Sequence, residues 1–270
     1  MGEASHKRSA GSQRRAVVTG ASTGIGAAFA ERLAREHYNL VIAARDWQRL
    51  EALAARLHQK HGVEVEVVPA DLTKPSDLQK LEDTVAKDRA LELLVNNAGF
   101  ATKGRVAELD PDREEEEIRL NIVALVRLTR AALPGMIARG QGAIINVSSL
   151  SAFQPGPYGA TYAATKAFVN SFTEALHEEL RGSRVRVQAL CPGFTRTEFQ
   201  QRAGINVSQV PAVAWMTPEA VVDASLAALQ RGELICIPGL SNRLLAMLAS
   251  TMPRSITRRV SGILSKRVLD

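Results

Sequence analysis

Short continuous apolar runs alternate with helical patterns along most of the chain, and this alternation limits its fold more than any other feature. Seven runs read as strands: 15–20, 39–44, 63–70, 91–99, 143–149, 184–193 and 233–239. Between most of them lie segments that read as helices: 24–36, 47–61, 76–87, 113–139, 162–181 and one that begins after Thr217. Continuously apolar strands are buried on both faces, which favours a parallel sheet covered by helices on both sides. We therefore predict a single doubly wound α/β domain over residues 14–240.

The positive charge of the chain is concentrated at its two ends. The net charge is +6, and segments 1–15 and 241–270 contain much of the excess of Lys and Arg. We interpret residues 1–13 as a disordered lead and residues 241–270 as a basic amphipathic helical extension. A basic surface can bind nucleic acid, but the chain has no interleaved aromatic and basic residues and no helix-turn-helix pattern. No nucleic-acid partner is predicted.

Cysteine usage and targeting patterns favour a cytoplasmic protein. The two cysteines, Cys191 and Cys236, are too few for a disulfide framework. Segment 1–15 lacks the apolar core of a secretory signal, and no apolar run reaches the ~18 residues that span a bilayer. The histidines show no metal-ligand spacing, so no metal is predicted. The acidic run 114–117 opens a predicted helix, where carboxylates suit the positive dipole end, and we interpret it as a solvated cap.

A glycine-rich segment, TGASTGIG at 19–26, follows the first predicted strand and opens the first predicted helix. Gly20 permits a tight turn, while Gly24 and Gly26 let the backbone approach a pyrophosphate at the helix N-terminus. In this position the pattern predicts a dinucleotide site on a Rossmann-type sheet.

The end of the second predicted strand indicates which dinucleotide binds. An acidic residue there would accept from the ribose 2′-hydroxyl and repel a 2′-phosphate, but the chain has Ala44 followed by Arg45. A guanidinium beside a 2′-phosphate forms charge-assisted hydrogen bonds of about 1.5–3 kcal/mol. We therefore predict NADP(H) as the cofactor. Asp46 argues against this choice, and we interpret it as the N-cap of the next helix.

Tyr162 and Lys166 lie four residues apart in a predicted helix and so share one face. An ammonium within about 4 Å of a phenol, at an effective dielectric of about 20, favours the phenolate by roughly 4 kcal/mol before solvation losses. That would lower the pKa of the Tyr, ordinarily near ~10, toward the range of proton transfer at neutral pH. An isolated YxxxK pattern is more often a packed Tyr and a solvated Lys. Ser149 and Asn121 upstream favour the catalytic interpretation.

Together these motifs resemble the short-chain dehydrogenase/reductase family over about residues 15–240. The resemblance implies a glycine loop around the phosphates, Asp71 and Leu72 at the adenine, NNAG under the adenosine ribose, and PGFTRT at the nicotinamide. The predicted cofactor residues are Gly20, Ser22, Gly24, Ile25, Gly26, Arg45, Asp71, Leu72, Asn97, Ala98, Gly99, Tyr162, Lys166, Gly193, Thr195 and Thr197. Two alternatives stay open: Asp71 only caps a turn, and NNAG is only structural.

The resemblance and the chemistry of carbonyl reduction together imply the catalytic roles. Tyr162 gives a proton to the carbonyl oxygen, and Lys166 lowers the pKa of Tyr162 and binds the nicotinamide ribose. Ser149 donates to the developing alkoxide, and Asn121 holds a water that relays protons to Lys166. The predicted function is NADPH-dependent reduction of an apolar ketone, or oxidation of the matching alcohol. The alternative is a non-catalytic NADPH-binding sensor or scaffold.

Segment 198–216 is too long and too apolar for a plain connection, and we interpret it as a lid over the substrate. The residues predicted to face the substrate are Phe199, Val210, Val213, Trp215 and Met216, with Phe100, Phe153 and Tyr158 completing the wall. This wall suggests an apolar ketone such as a long acyl chain or a sterol. The whole chain looks most like bacterial reductases of lipid or 3-oxoacyl metabolism.

The C-terminal extension and two helices predict contacts beyond the domain. In segment 254–270, Ile256, Val260, Ile263 and Leu264 share one face and Arg and Lys lie largely elsewhere, a make-up typical of a helix on anionic lipid. Packing against the protein itself or a partner subunit is the alternative. Helices 113–139 and 162–181 have apolar faces too wide for one core, so we predict a homodimer or homotetramer.

Overall fold

A computed structural model describes residues 14–208 and 210–267, with no side chain described at residues 260 and 263–267. The predicted lead 1–13 lies outside the described residues. Two core layers form where helices pack on opposite faces of one sheet. The helices are α1 (Gly24–Arg35), α2 (Trp47–His61), α3 (Pro75–Lys87), α4 (Pro111–Ile118), α5 (Leu125–Arg139), α6 (Ala160–Glu179), α7 (Phe199–Arg202), α8 (Pro218–Gln230), α9 (Leu240–Thr251) and α10 (Arg254–Arg267).

The described strands form one parallel sheet of seven strands. They are β1 (Arg15–Thr19), β2 (Asn39–Ala44), β3 (Val65–Pro69), β4 (Leu91–Asn96), β5 (Gly142–Val147), β6 (Val185–Leu190) and β7 (Ile235–Cys236). The spatial order is β3-β2-β1-β4-β5-β6-β7, so the direction of winding reverses between β1 and β4. Ligands of such sheets bind beyond the carboxyl ends of the strands at this reversal. The predicted doubly wound fold is confirmed, although the last strand is shorter than expected.

Local capping explains several helix boundaries. Asp46 accepts a hydrogen bond from the Arg49 N–H at 3.0 Å, which confirms it as the N-cap of α2. Gly62 ends the same helix with a φ of 67°, a left-handed conformation that glycine adopts without strain. Thr217 accepts from the Ala220 N–H at 3.2 Å and so caps α8. The two N-caps mark where the loops that precede α2 and α8 end, and Gly62 marks where α2 ends.

The long predicted helix 113–139 is interrupted in the structure. α4 begins at Pro111, and a π-helical segment, Arg119–Ala124, separates α4 from α5. In the described part of the chain, the helix Pro111–Arg139 is long and apolar enough by length and composition to cross a membrane. In this fold it packs on α3, α6 and the sheet. π-segments often occur at functional sites because the extra residue displaces a side chain from the helical register. Asn121 lies within this one.

Part of the apolar surface assigned to a partner subunit belongs to the chain's own core. Leu125, Leu128, Val169, Leu176 and Leu180 are buried within the single chain. The width of the apolar face was overestimated because the π-segment rotates the start of α5 relative to α4. The residues of these helices that do stay exposed are Ile118, Val123, Ile137 and Phe168.

The C-terminal extension packs on the domain through one side only. Asn242 and Ala246 of α9 are buried, and so are Thr257 and Ser261 of α10. The opposite side of α9 is apolar and exposed, and it comprises Leu240, Leu244, Leu245, Met247 and Leu248. Ile256 is 47% exposed, whereas the predicted membrane-facing side chains of residues 260, 263 and 264 lie outside what is described. Packing on the protein itself therefore holds for one side, and among the side chains that the structure describes in this extension most of the exposed apolar ones lie on α9.

Candidate active site

A cavity of about 1550 Å³ opens beyond the carboxyl ends of the strands. The loops after β1, β2, β3, β4, β5 and β6 all contribute to its wall. Of the residues predicted to bind cofactor, every one except Gly26 lines this cavity. Ser149 also lines it, whereas Asn121 lies behind the wall. The sequence motifs, which are far apart along the chain, are thus brought together by the sheet.

The glycine loop has no room for side chains at its turn. Gly20 and Gly24 have φ values of 64° and 58°, in the left-handed region that favours glycine. A Cβ on Gly26 would lie 2.3 Å from the Gly20 carbonyl oxygen and 2.5 Å from Asn97 Nδ2. Gly26 therefore shapes the loop from behind. The result is a backbone cradle at the N-terminus of α1, a geometry suited to a pyrophosphate.

Asn97 joins the loop after β4 to the glycine loop. Its Nδ2 donates to the Thr19 carbonyl at 2.8 Å and to the Gly20 carbonyl at 3.2 Å. Thr19 Oγ1 in turn accepts from the N–H groups of Asn97 and Ala98, at 2.9 and 3.0 Å. NNAG thus has a structural role, while Asn97, Ala98 and Gly99 also line the cavity. Both interpretations of the motif are compatible with this geometry.

The adenosine end of the cavity carries the two polar residues predicted there. Arg45 is exposed and lines the cavity, while both oxygens of Asp46 are occupied by Arg49, through its backbone N–H and its Nε at 3.3 Å. Asp71 Oδ1 accepts from the Thr73 N–H and Oγ1, at 3.1 and 2.7 Å. Asp71 therefore does cap a turn, and its contact with an adenine amino group stays a prediction.

The loop after β6 closes the opposite side. A Cβ on Gly193 would lie 2.6 Å from the buried Asn242 side chain, so α9 presses directly on this loop. Thr197 contacts the glycine loop, because a Cβ on Gly24 would lie 2.9 Å from Thr197 Cγ2. Thr195 Oγ1 donates to the Gly193 carbonyl at 3.1 Å and fixes the turn between them. Thr197, which is predicted to contact the pyrophosphate, thus lies beside the glycine loop.

Ser149, Tyr162 and Lys166 meet at the base of the cavity. Ser149 acts as a hydrogen-bonding partner that opposes the rise of the Tyr162 pKa, and its Oγ also donates to Ser151 Oγ at 3.3 Å. Lys166 lies one turn further along α6 with Nζ 5.6 Å from the centroid of the Tyr162 ring, and Nζ donates to the Val147 carbonyl at 2.8 Å. Ser148 is buried and donates instead to the Lys166 backbone carbonyl at 3.1 Å. Ser149 is therefore the hydroxyl placed to act with Tyr162, as its spacing predicted.

The predicted lowering of the Tyr162 pKa by Lys166 is wrong for this structure. Burial raises the pKa of Tyr162 to about 12, and the Ser149 hydrogen bond only partly opposes this. Burial also lowers the pKa of Lys166 to about 8. The ammonium contacts the Val147 carbonyl and not the phenol oxygen, so its charge does not offset the desolvation. Sequence spacing placed the two side chains on one face but could not give the direction of Nζ.

Asn121 holds the loop after β4 against α6. Its Nδ2 donates to the Phe100 carbonyl at 2.9 Å and to Thr165 Oγ1 at 3.2 Å, and its Oδ1 accepts from the Phe100 N–H at 3.2 Å. A Cβ on Gly99 would lie 2.8 Å from Asn121 Oδ1 and 3.6 Å from Lys166 Nζ. Asn121 is thus close to Lys166, but its side chain is already engaged. Its role with a relay water stays a prediction.

Glu117 is a buried residue of the site that sequence reasoning missed. The acidic run was interpreted as a solvated cap, yet Glu117 is 0% exposed and accepts from the Thr102 N–H at 2.7 Å and Oγ1 at 2.6 Å. Burial raises the pKa of its carboxyl. Asp110 is the actual cap of α4 and accepts from the Asp112 N–H. The position of Glu117, four residues before Asn121 on one helix face, was the signal available in the sequence.

The predicted substrate wall is partly correct. Phe199 lies 5.6 Å from the Tyr162 ring, and Phe199, Val210, Phe100 and Tyr158 line the cavity. Val213 is 89% exposed, which contradicts its predicted inward position. Trp215 packs on Phe194 with a centroid distance of 5.5 Å, Met216 packs on the main core, and Phe153 does not line the cavity. A three-residue 3₁₀ turn, Ala212–Ala214, interrupts the segment. The pattern of apolar residues in the sequence does not reveal this turn.

Comparison with known proteins places the geometry in a family. Residues 14–207 match the model of the family described as short chain dehydrogenase. A solved structure of a short-chain dehydrogenase from Sphingobium yanoikuyae in complex with NADPH is 41% identical, with a TM-score of 0.81 over 90% of this chain and 97% of that one. The bulky-bulky ketone specific alcohol dehydrogenase from Comamonas testosteroni is 33% identical, with a TM-score of 0.77 over 91% and 97%.

A curated relative from Bos taurus, very-long-chain 3-oxoacyl-CoA reductase, is 35% identical over 68% of this chain. The match covers 60% of the bovine protein's own length. The predicted family is confirmed by the match over most of the chain and by the order and placement of its motifs. This protein belongs to the short-chain dehydrogenase family of oxidoreductases.

Proposed function

We propose that the protein is an NADP(H)-dependent oxidoreductase that reduces an apolar ketone to an alcohol, with Tyr162 as the proton donor. The observation that carries the proposal is that Ser149, Tyr162 and Lys166 line the same cavity as the glycine cradle. A protein that only bound the dinucleotide as a sensor or scaffold would not need this set of side chains. The catalytic reading is therefore favoured over that alternative.

The residues around the cavity fit NADP(H) as the dinucleotide. The glycine cradle would hold the pyrophosphate, and Arg45 would face the 2′-phosphate. Asp46, the residue that argues against NADP(H), is paired with Arg49, and this pairing weakens the repulsion between its carboxylate and a phosphate. The Sphingobium yanoikuyae relative, which is described with NADPH, supports the same choice.

The chemistry divides between the dinucleotide and the side chains. The nicotinamide, when bound, supplies the hydride that goes to the carbonyl carbon. The Tyr162 hydroxyl donates a proton to the carbonyl oxygen, and Ser149 hydrogen-bonds that oxygen as negative charge develops. Lys166, one turn further along α6, would bind the nicotinamide ribose when the dinucleotide is present. In the direction of alcohol oxidation, the same phenol accepts the proton.

The cavity wall favours a substrate with an apolar body. Phe100, Phe199 and Val210 surround the space in front of Tyr162. A long acyl chain or a bulky apolar ketone would bury its surface there at about 25 cal/mol per Å². The relative named as a very-long-chain 3-oxoacyl-CoA reductase and the one specific for bulky-bulky ketones match these two classes. Of the two, we propose a 3-oxoacyl thioester as the substrate class.

Contacts beyond the single chain follow from its exposed apolar side chains. We propose a homodimer or homotetramer that pairs through α4, α5 and α6, where Ile118, Val123, Ile137 and Phe168 are exposed. Light scattering that gives a monomeric mass at micromolar concentration would contradict this assembly. We further propose a cytoplasmic protein with peripheral membrane contact through the exposed side of α9 and the Arg residues of α10.

The test of function is NADPH oxidation followed at 340 nm with matched substrates. A series of 3-oxoacyl thioesters of increasing chain length is compared with bulky aryl ketones and with a small ketone. The proposal expects turnover that rises with acyl length and depends on NADPH. Preference for bulky aryl ketones would replace the substrate class while preserving the chemistry. No oxidation of NADPH with any ketone, in a protein that binds NADPH, would support the sensor alternative.

A further inference from the structure

Glu117 is the one buried carboxylate near the catalytic side chains among the described residues, and the mechanism above does not use it. Its Oε2 is bound by Thr102, at the start of the cavity wall after β4. Its Oε1 is buried and accepts no hydrogen bond from any described residue. Burying a carboxylate costs several kcal/mol unless it is paired, so an unsatisfied oxygen at this position calls for an explanation.

The packing of α4 on α6 places this carboxylate beside the catalytic helix. Glu114, one turn before Glu117, accepts from Thr161 Oγ1 of α6 at 2.6 Å. Asn121, one turn after Glu117, receives a hydrogen bond from the loop at Phe100 and bonds Thr165 of α6. Glu117 thus lies between two cross-links, which tie α4 and the π-segment to the α6 residues that directly precede Tyr162 and Lys166.

We propose that Glu117 is a positioning residue: its buried carboxylate, fixed between two cross-links to α6, provides a negative charge beside the catalytic helix and so sets the pH range in which Tyr162 gives its proton to a substrate. Its interaction with Lys166 is reciprocal, since the ammonium lowers the pKa of Glu117 and the carboxylate raises the pKa of Lys166. Glu117 also raises the pKa of Tyr162. The proposal rests on the proposed carbonyl reduction only for its activity readout.

The other titratable groups around this set are few among the described residues. Glu114 on α4 raises the pKa of Glu117, and the Cys191 thiol after β6 faces Tyr162 and Lys166. Burial raises the pKa of Cys191 to about 12, so this thiol stays neutral in the neutral range. Glu117 is therefore the group whose charge changes most directly what Lys166 and Tyr162 experience.

The sign of the effect follows from these interactions. Removing the Glu117 charge lowers the pKa of both Lys166 and Tyr162. Ketone reduction needs a protonated Tyr162 and a charged Lys166, so its loss at alkaline pH should begin at lower pH in E117Q. A shift on the order of one pH unit is expected for a charge several Å away at an effective dielectric near 20. At acidic pH, where Glu117 itself is neutral, the profiles of E117Q and the parent protein should converge.

The experiment measures kcat/KM against pH for the parent protein, E117Q and E117D. E117D keeps the charge and should keep the alkaline limb, whereas E117Q should move it. E115Q is the matched control, because Glu115 is exposed and pairs with Arg119 at 2.6 Å. If E117Q does not fold, E117M removes the same buried charge without leaving an unsatisfied polar group. An unmoved alkaline limb in a folded neutral variant, or equal shifts in E117Q and E117D, would overturn the proposal.

A second readout does not depend on any substrate. The ionisation of Tyr162 is followed as the tyrosinate absorbance of the protein minus that of its Y162F variant, with NADPH absent. In the E117Q background this difference should appear at lower pH. If the parent protein reduces no ketone but the ionisation shifts, the proposed function fails and the role of Glu117 holds. If ketone reduction is present and neither limb nor ionisation shifts, only the inference about Glu117 fails.

Discussion

At the scale of single residues, the chemistry depends on a phenol whose proton is held tightly. Burial raises the pKa of Tyr162 to about 12, so the phenol stays protonated at neutral pH and is a weak acid. The Tyr162 side chain is partly exposed and lines the cavity, so a bound dinucleotide and substrate would desolvate it further. Ser149, whose interaction opposes the rise of the Tyr162 pKa, must then help to stabilise the phenolate as the proton leaves.

The Y162F variant tests this role directly. Removing the hydroxyl should lower kcat by about a hundredfold or more, the typical contribution of general acid catalysis, because the phenol is the group proposed to protonate the carbonyl oxygen. NADPH affinity, measured by fluorescence titration, should change little, since the ring and Lys166 remain. Near-normal turnover of a confirmed substrate by Y162F would show that the proton comes from elsewhere.

The choice between dinucleotides is also set by one residue. Arg45 is the cation at the adenosine end of the cavity, while Arg49 is committed to Asp46 and Glu198, the latter at 2.9 Å. R45A should weaken NADPH binding by about ten- to hundredfold, the equivalent of one or two charge-assisted hydrogen bonds, and leave NADH binding nearly unchanged. Arg56, exposed on the same helix as Arg49 and away from this cavity, offers R56A as the control. Equal losses for both dinucleotides would assign Arg45 a general rather than a selective role.

Residue positions could be predicted where local spacing decides them, and not where packing does. The interval between Ser149 and Tyr162 predicts that Ser149 meets Tyr162 in the cavity, and the sequence also indicates Asp46 as the N-cap of α2. The direction of Lys166 Nζ, the burial of Glu117 and the exposure of Val213 depend on how distant elements meet. No local pattern encodes those contacts, which is why a buried carboxylate in a run of four acidic residues was taken for a solvated one.

At the scale of elements, the glycine loop is held in place by steric exclusion. The G26A variant would place a methyl group 2.3 Å from the Gly20 carbonyl oxygen and 2.5 Å from Asn97 Nδ2. Asn97 Nδ2 donates to the Thr19 and Gly20 carbonyls, and these hydrogen bonds hold the two crowded groups in place. We expect a loss of NADPH affinity of about tenfold or more, since overpacking typically costs 1–3 kcal/mol. Isothermal titration of NADPH measures it. The control is G135A in α5, where the added methyl group meets only the flexible end of Arg139; unaltered NADPH binding by G26A would contradict the cradle.

The same scale explains which elements could be predicted. Helices α2 and α8 have sequence-local caps, and the interiors of β1 and β2 are continuous apolar runs, so their bounds were nearly right. The π-segment Arg119–Ala124 carries no such signal, because an inserted residue leaves the composition of the helix unchanged. The turn Ala212–Ala214 was missed for a similar reason. Both irregular segments lie at the site. Functional sites are the places where local sequence preferences most often disagree with the folded structure.

At the scale of the whole molecule, the exposed side of α9 has no partner in the described chain. Leu240, Leu244 and Leu248 recur every four residues, and α10 follows with the exposed Arg254, Arg258 and Arg259. An apolar stripe next to exposed cations is complementary to an anionic lipid surface, where each cation contributes about 1 kcal/mol at low salt. The buried Ser261 lines the substrate cavity, so the same extension links this surface to the site.

Binding to vesicles separates the two components of this surface. The intact protein should bind anionic phospholipid vesicles in a salt-sensitive manner and bind neutral ones weakly. R258E/R259E should remove the salt-sensitive part, because it reverses two exposed charges, and L244Q/L248Q should weaken the part that persists at high salt. Point variants are preferable to deleting residues 254–270, since that would also remove Thr257 and Ser261 from the packed side of α10.

Sedimentation with the vesicles gives the bound fraction, and NADPH oxidation with a small ketone should be unchanged in both variants. K87E, on the exposed part of α3, is the charge control. Equal binding by all variants, or a change in oligomeric mass without a change in vesicle binding, would show that α9 meets another protein surface instead of lipid.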